Sequence, residues 1–153
     1  MIRAISVMRD RSNGLGGGFA GYGIYPHYKD FYAFHLFYDE KTAQSDTETF
    51  LKRHFEIVYS SEIQTRKISA VKDEPLIFRY FLAPLPQKLA NSHLDEREYV
   101  ARCVNRINAE IVGAYVFSCG KDMGIFKGVG YPEHIGRFYR LEEYEGYAWT
   151  CHG

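Results

Sequence analysis

Gly14-Leu15-Gly16-Gly17-Gly18-Phe19-Ala20-Gly21-Tyr22-Gly23-Ile24-Tyr25-Pro26 is the stretch that decides how the chain is read. Within it, Gly16 to Gly21 satisfies G-x-G-x-x-G by letter. A dinucleotide fingerprint follows a strand and opens a helix, so that pyrophosphate rests on the helix N-terminus. The context here is inverted. Ile2, Ile5 and Met8 recur at helical spacing and end in the polar segment Arg9-Asp10-Arg11-Ser12-Asn13, so a helix precedes the glycines. An aromatic and aliphatic run, Phe19 to Tyr25, follows them and predicts a strand. The glycines therefore mark a flexible connection, or backbone that must come close to a ligand or another segment.

Working outward, Phe31 to Tyr38 is a second apolar run, and the pattern predicts two strands joined by a short turn at Pro26 to Asp30. Ser45-Asp46-Thr47-Glu48 supplies an N-cap and an acidic first turn for a helix reaching about Phe55, with Phe50, Leu51 and Phe55 as its apolar face. Glu56 to Arg66 alternates as a half-buried strand with Ile57, Tyr59, Ser61 and Ile63 on one face. Pro75 opens the strand Leu76 to Leu82, and Pro84 and Pro86 close it. The clearest helix begins at Leu94-Asp95-Glu96-Arg97-Glu98, with Tyr99, Val100, Cys103, Val104, Ile107 and Ile111 at helical period. Ala114 to Ser118 and Met123 to Lys127 predict a hairpin turning through Cys119-Gly120-Lys121-Asp122. Pro132 starts a helix to about Leu141, and Tyr147 to Cys151 is a last strand. Strands interleaved with three or four helices predict an α+β fold with a mostly antiparallel sheet.

Composition narrows the function. The 153 residues carry 19 Lys+Arg against 19 Asp+Glu, a formal net charge of zero, which argues against nucleic acid as a partner. No apolar run is long enough to span a bilayer, and Met1 to Asp10 is too charged for a signal-peptide core. The 13 Tyr, 11 Phe and one Trp exclude disorder and imply a substantial core in one domain, residues 1–153. Cys103, Cys119 and Cys151 form no C-x-x-C pair and are odd in number, as expected of reduced thiols in a cytoplasmic protein.

Motif by motif, the chemistry is thin. His27, His35, His54, His93, His134 and His152 show no zinc-ligand spacing, and His35 reads as a packed strand residue. Gly120-Lys121 ends like a phosphate loop, but Asp122 stands where Ser or Thr would bind magnesium. Cys151 and His152 are neighbours on a strand, so they point to opposite faces and do not activate each other. Glu142, Glu143 and Glu145 read as a solvated acidic surface. Arg9 and Arg11, beside the glycines, are suited to holding a carboxylate.

Two stretches are more specific: Met8 to Pro26, and Gly113-Ala114-Tyr115-Val116-Phe117-Ser118-Cys119-Gly120-Lys121-Asp122-Met123-Gly124-Ile125-Phe126-Lys127-Gly128-Val129-Gly130-Tyr131-Pro132. With Tyr147-Ala148-Trp149-Thr150-Cys151-His152-Gly153, they resemble the class II glutamine amidotransferase module of glutamate synthase, most nearly the archaeal type with a split large subunit. The resemblance implies an N-terminal-nucleophile hydrolase fold, two antiparallel sheets between helical layers. It also implies hydrolysis of glutamine to glutamate and ammonia, with the ammonia passed to 2-oxoglutarate in a partner synthase domain. That partner would carry FMN and an iron–sulfur cluster; none is expected in this domain.

The chain departs from the family at the chemistry. The family's nucleophile is an N-terminal cysteine ahead of the first helix, whereas residue 1 is Met and no cysteine precedes Cys103. The arginine and Asn-Gly pair that follow His-Gly in the family have no counterpart before Gly153. The resemblance therefore implies a partial domain, lacking both ends, with no catalytic residue to carry over. It places Arg9, Arg11, Gly14, His152 and Gly153 near bound glutamine. Partners would be glutamine and the other glutamate synthase subunits. A second reading is a non-catalytic scaffold for ligand binding, regulation or subunit contact. In a partial domain, aromatic strands such as Phe31 to Tyr38 are expected to have unpaired edges and to drive self-association.

Overall fold

A computed structural model describes residues 1–7 and 14–153. The chain packs as two compact units, each assembled from separated segments. One comprises Met1–Lys29, Ile63–Glu74 and Asp122–Gly153; the other comprises Asp30–Glu62 and Pro75–Lys121. Both are built on an antiparallel sheet, so the α+β expectation holds.

The second unit has a four-stranded sheet of β2 (Tyr32–Tyr38), β3 (Phe55–Glu62), β4 (Leu76–Pro84) and β5 (Ala114–Lys121), in the order β3-β4-β2-β5. Tyr32, Phe34, Leu36 and Tyr38 alternate onto one face of β2. There they pack with Tyr80, Leu82 and Val116 against α2 (Lys41–His54) and α4 (Glu96–Glu110), through Ala43, Leu51, Tyr99, Val100, Cys103 and Ile107. The other face of β2 is buried as well: His35 is fully buried, with its ring 5.6 Å from Phe117, itself stacked on Phe37. His35 is thus a packed residue, as its strand position suggested. α4 begins as expected, with the Asp95 carboxylate accepting from the Glu98 N–H.

Polar side chains tie the α2 and α4 helices to this sheet. The Tyr80 hydroxyl donates to the Glu48 carboxylate at 3.0 Å, and the Tyr38 hydroxyl bonds to Tyr80 at 3.3 Å. Burial pushes the Tyr38 phenol up to about 12 and Tyr80 higher still. The Lys121 ammonium pairs with Glu96 at 2.8 Å and lies over the Tyr32 ring, and its hydrogen bond holds the Glu96 carboxyl low. Asn108, on α4, donates to the Val116 carbonyl at 3.1 Å and accepts the Val116 N–H at 2.7 Å. Its carboxamide takes the place of a neighbouring strand's peptide at a β-bulge, where the register of β2 on β5 shifts between His35 and Leu36.

The first unit has a three-stranded sheet of β1 (Gly17–Tyr22), β6 (Met123–Gly128) and β7 (Ala148–His152), in the order β6-β1-β7. A short helix α1 (Ile2–Ser6), a helix α5 (Pro132–Phe138) and a 3-10 turn at Leu141–Glu143 accompany it. Its core centres on Phe126, fully buried, with Tyr139 at 5.3 Å, Tyr144 at 5.1 Å and Trp149 at 6.3 Å. The Tyr139 hydroxyl donates to the Lys127 carbonyl at 3.0 Å, and burial raises its pKa. Residues 63–74 dock on this unit through the Arg66 N–H to the Phe138 carbonyl and an Arg66–Glu142 ion pair.

Several local expectations need correction. Phe19 to Tyr25 and Phe31 to Tyr38 yield β1 and β2, and the predicted hairpin of Ala114 to Ser118 with Met123 to Lys127 yields β5 and β6, but neither pair is hydrogen-bonded. β1 pairs with β6 and β7, and β2 with β4 and β5. Turn residues reverse the chain without choosing its partner. Because β2 is bonded on both sides, Phe31 to Tyr38 offers no open edge for self-association. α2 begins at Lys41, a turn before Ser45; inside the helix Thr47 and Thr49 bond back to the carbonyls of Ala43 and Ser45 instead of capping. β3 ends at Glu62, and a bulge between Ile57 and Tyr59 breaks its alternation, leaving Tyr59 45% exposed. Pro86 ends no strand; it opens α3 (Pro86–Ser92). α5 stops at Phe138, before Leu141.

Two predictions follow from the α4 contacts. Asn108→Ala removes both bonds to Val116 and should cost about 1–3 kcal/mol in urea denaturation, with increased aggregation from the uncovered β5 edge. The second concerns His54, whose Nδ1 lies 2.8 Å from the Tyr99 hydroxyl. Burial, then Arg106, Lys88 and Arg53, lower its pKa. The unfolded imidazole, titrating near 6.5, takes up a proton first as pH falls, so its contribution is complete above about pH 6.5 and is lost on further acidification. The urea midpoint should drop between about pH 7 and about pH 5, and His54→Gln should reduce that drop.

Candidate functional site

The glycines of the opening stretch lie mainly in a strand, and they serve close packing. Gly17 is opposite Gly128 and Gly21 opposite Gly124 across the β1–β6 ladder. A Cβ on Gly17 would stand 3.0 Å from Pro132 Cγ and 3.3 Å from the His152 carbonyl oxygen. On Gly21 it would stand 2.7 Å from the Trp149 ring and 2.9 Å from Ile24. The bare strand lets α5 and Trp149 lie directly on its backbone.

One end of this sheet gathers the residues that the resemblance singled out. Gly14, at φ +69°, turns the chain under the Tyr131 ring; a Cβ there would stand 3.2 Å from it. Gly18 is opposite His152 in the β1–β7 ladder, and the imidazole Nε2 stands 3.3 Å from where a Gly18 Cβ would be. Gly153 continues from β7 beside them. Gly14, three residues before β1, and His152 with Gly153, at the end of β7, therefore lie toward the same end of the sheet, Gly14 against Tyr131 and His152 against Gly18. Arg9 and Arg11 lie outside the described residues.

Sequence reasoning missed Gly130, Tyr131 and Pro132 as members of this end. Gly130 has φ +126° with open space where a Cβ would lie, and Tyr131 meets His134 edge-on at 6.1 Å. The tips Leu15 and Val129, just beyond the β1–β6 ladder, are exposed. A second glycine cluster, Gly124, Gly128 and Gly130, was the available signal.

Main chain without side chains and the exposed His152 imidazole can hold a polar ligand. Cys151, opposite Phe19, alternates with His152 along the strand, so the two occupy opposite faces, as expected. All three cysteines are free thiols, and burial pushes those of Cys103 and Cys119 up, away from the reactive thiolate. Among the described residues no group of three or more His, Cys, Asp or Glu converges as a metal site, and no helix is long and apolar enough to cross a membrane. Glu142 and Glu143 of the acidic run are exposed and paired, with Arg66 and Arg140.

An uncharacterized protein of Archaeoglobus fulgidus is 47% identical over 154 residues, covering 99% of this chain. The chain spans 40% of that relative's length. No family model matches the sequence.

Tight packing on the glycines is testable. Gly21→Ala should cost about 1–3 kcal/mol as Trp149 and Ile24 are displaced. Gly16→Ala should be close to neutral, because the nearest atom to its Cβ would be the Gly128 carbonyl oxygen at 3.7 Å. Denaturant midpoints followed by circular dichroism measure both.

Proposed function

We propose that this chain forms the glutamine-binding interior of a class II amidotransferase domain of the glutamate synthase type, with an N-terminal-nucleophile hydrolase arrangement of its two antiparallel sheets. The reading is supported by the antiparallel pairing of β1 with β7, which sets the start of one resembling stretch and the end of another, Gly14 and His152–Gly153, toward the same end of the three-stranded sheet.

In this reading the glycine-lined end receives the glutamine, with main-chain groups and the His152 imidazole as its polar contacts. Arg9 and Arg11 hold the substrate carboxylate, as a planar guanidinium does well. The nucleophile is a cysteine thiolate supplied from outside the span, because no cysteine here occupies the matching position. Its attack on the side-chain amide gives an acyl-enzyme and releases ammonia; water then releases glutamate. The ammonia goes to a partner synthase subunit, where FMN and an iron–sulfur cluster serve the amination of 2-oxoglutarate. The setting is the cytoplasm.

Amide NMR on the purified chain tests the binding step. L-glutamine at concentrations above about 1 mM, the upper end of common KM values, should shift Gly14, Gly16 to Gly18, His152 and Gly153 and leave the four-stranded sheet unmoved. Ammonia release is expected only with the complementing cysteine-bearing polypeptide. Absence of shifts at the glycine end would overturn the reading, and ammonia release by the chain alone would overturn the external nucleophile.

A further inference from the structure

A cleft of ≈ 330 Å³ opens on the first unit, lined by Met1, Ile2, Arg3, Phe19, Leu141, Glu142 and Trp149. Its floor is apolar: Phe19 is 2% and Leu141 6% exposed, and the Trp149 indole is half-buried. Each wall is fixed by packing. The indole sits where Cβ atoms on Gly21 and Gly146 would otherwise intrude, and it stacks on Phe126. Ile2 is seated on Gly136, where a Cβ would come within 2.9 Å, and this places α1 and Arg3.

Two opposite charges face this floor. Arg3 makes no ion pair among the described residues. Glu142 gives one carboxylate oxygen, Oε1, to Arg66 at 2.7 Å, and Arg66 is itself anchored by its N–H on the Phe138 carbonyl. The Glu142 carboxylate is itself exposed on the cleft wall. Arg3 and Glu142 share the cleft without bonding to each other, so they stand more than 4.0 Å apart.

An anchored anion and an exposed cation beside an aromatic and aliphatic floor are complementary to a small zwitterion with an apolar body. We infer that this cleft binds a free α-amino acid with an apolar side chain. Its carboxylate meets the Arg3 guanidinium, which presents paired donors. Its ammonium meets the Glu142 carboxylate and the face of Trp149. Its side chain covers Phe19 and Leu141. The volume lies at the small end of ligand pockets, which suits an amino acid better than a nucleotide, and one cation is too few for a polyphosphate. A simple fatty carboxylate would leave Glu142 facing an apolar chain, at a desolvation cost. This inference is independent of the glutamine reading, which concerns the end of the sheet marked by Gly14 and His152.

Trp149 is the chain's single tryptophan, so its emission reports on the cleft directly. Titration with L-leucine should give a saturable change in intensity or wavelength. N-acetyl-leucine, lacking the ammonium, and leucinamide, lacking the carboxylate, should give none. Arg3→Gln and Glu142→Gln should each raise the leucine Kd by about tenfold or more, the weight of one charge-assisted hydrogen bond. Both side chains are exposed, so the variants should keep the parent's urea midpoint. A flat leucine titration, equal binding of N-acetyl-leucine, or an unchanged Kd in Arg3→Gln would each overturn the inference. The glutamine test reads the amides of Gly14, Gly16 to Gly18, His152 and Gly153, whereas this one reads the Trp149 indole and the Arg3 and Glu142 variants, so failure of one reading leaves the other standing.

Discussion

The first unit depends on one constraint: the central strand of its sheet must present bare backbone. Gly17 and Gly21 share a face of β1, and across the ladder they meet Gly128 and Gly124. Into the space left by the missing Cβ atoms come Pro132, Ile135 and the Trp149 indole. Glycine in a strand is intrinsically unfavourable, losing more chain entropy than alanine and offering no side chain to pack. Its use here makes sense because α5 and an indole ring can then approach to contact distance. Phe126, Phe138 and Tyr139 fill the surroundings with rings that carry large apolar area. At the end of the sheet the same economy continues: Tyr131 and His152 lie close over Gly14 and Gly18, and Gly130 leaves open space where a Cβ would stand.

The second unit solves a different problem. β2 is buried on both faces and needs partners on both edges, and it finds them in β4 and β5. Edge strands carry the residual risk. β3 is interrupted by a bulge at Val58, and β5 has its middle covered by Asn108. Both are devices that discourage further strands from adding to the sheet. The hydroxyls of Tyr38 and Tyr80 are another conditional arrangement. They suit a buried interface only because Glu48 accepts the outer one.

How much of this was legible in the sequence follows from the range of each interaction. Strand and helix existence was legible, because alternation and the 3.6-residue period are local: α4 was found from its Asp95 cap and apolar stripe. Pairing was not. Tyr22-Gly23 and Gly120-Lys121 signal reversals, but the register of β1 on β6 and β7 is set by contacts made after about a hundred residues of intervening chain have folded. The start of α2 was misplaced because Ser45 and Thr47 look like caps until the helix is seen to begin at Lys41 and Thr47 to bond back to the Ala43 carbonyl. Of the site, the glycine stretch and the chain end were each visible separately; their meeting was not. Tyr131 and Pro132 went unnoticed because an aromatic and a proline after Gly130 read as an ordinary helix start.

Charge shows the same split between what composition says and what position does. Equal numbers of acids and bases erase any long-range field, so whatever the molecule recognises must be recognised at close quarters, by local pairs. The described residues use their charges in that manner. Lys121 meets Glu96 over the Tyr32 ring, Arg106 forks onto Glu110 over Phe50, and Arg66 steadies Glu142. Most of these pairs are exposed and contribute little to stability. Their value lies in fixing where a guanidinium, an ammonium or a carboxylate stands. Arg3, by contrast, makes no ion pair among the described residues. A neutral protein that sets a cation and an anchored carboxylate beside one apolar floor has the elements needed to recognise a molecule that is itself neutral but carries both signs.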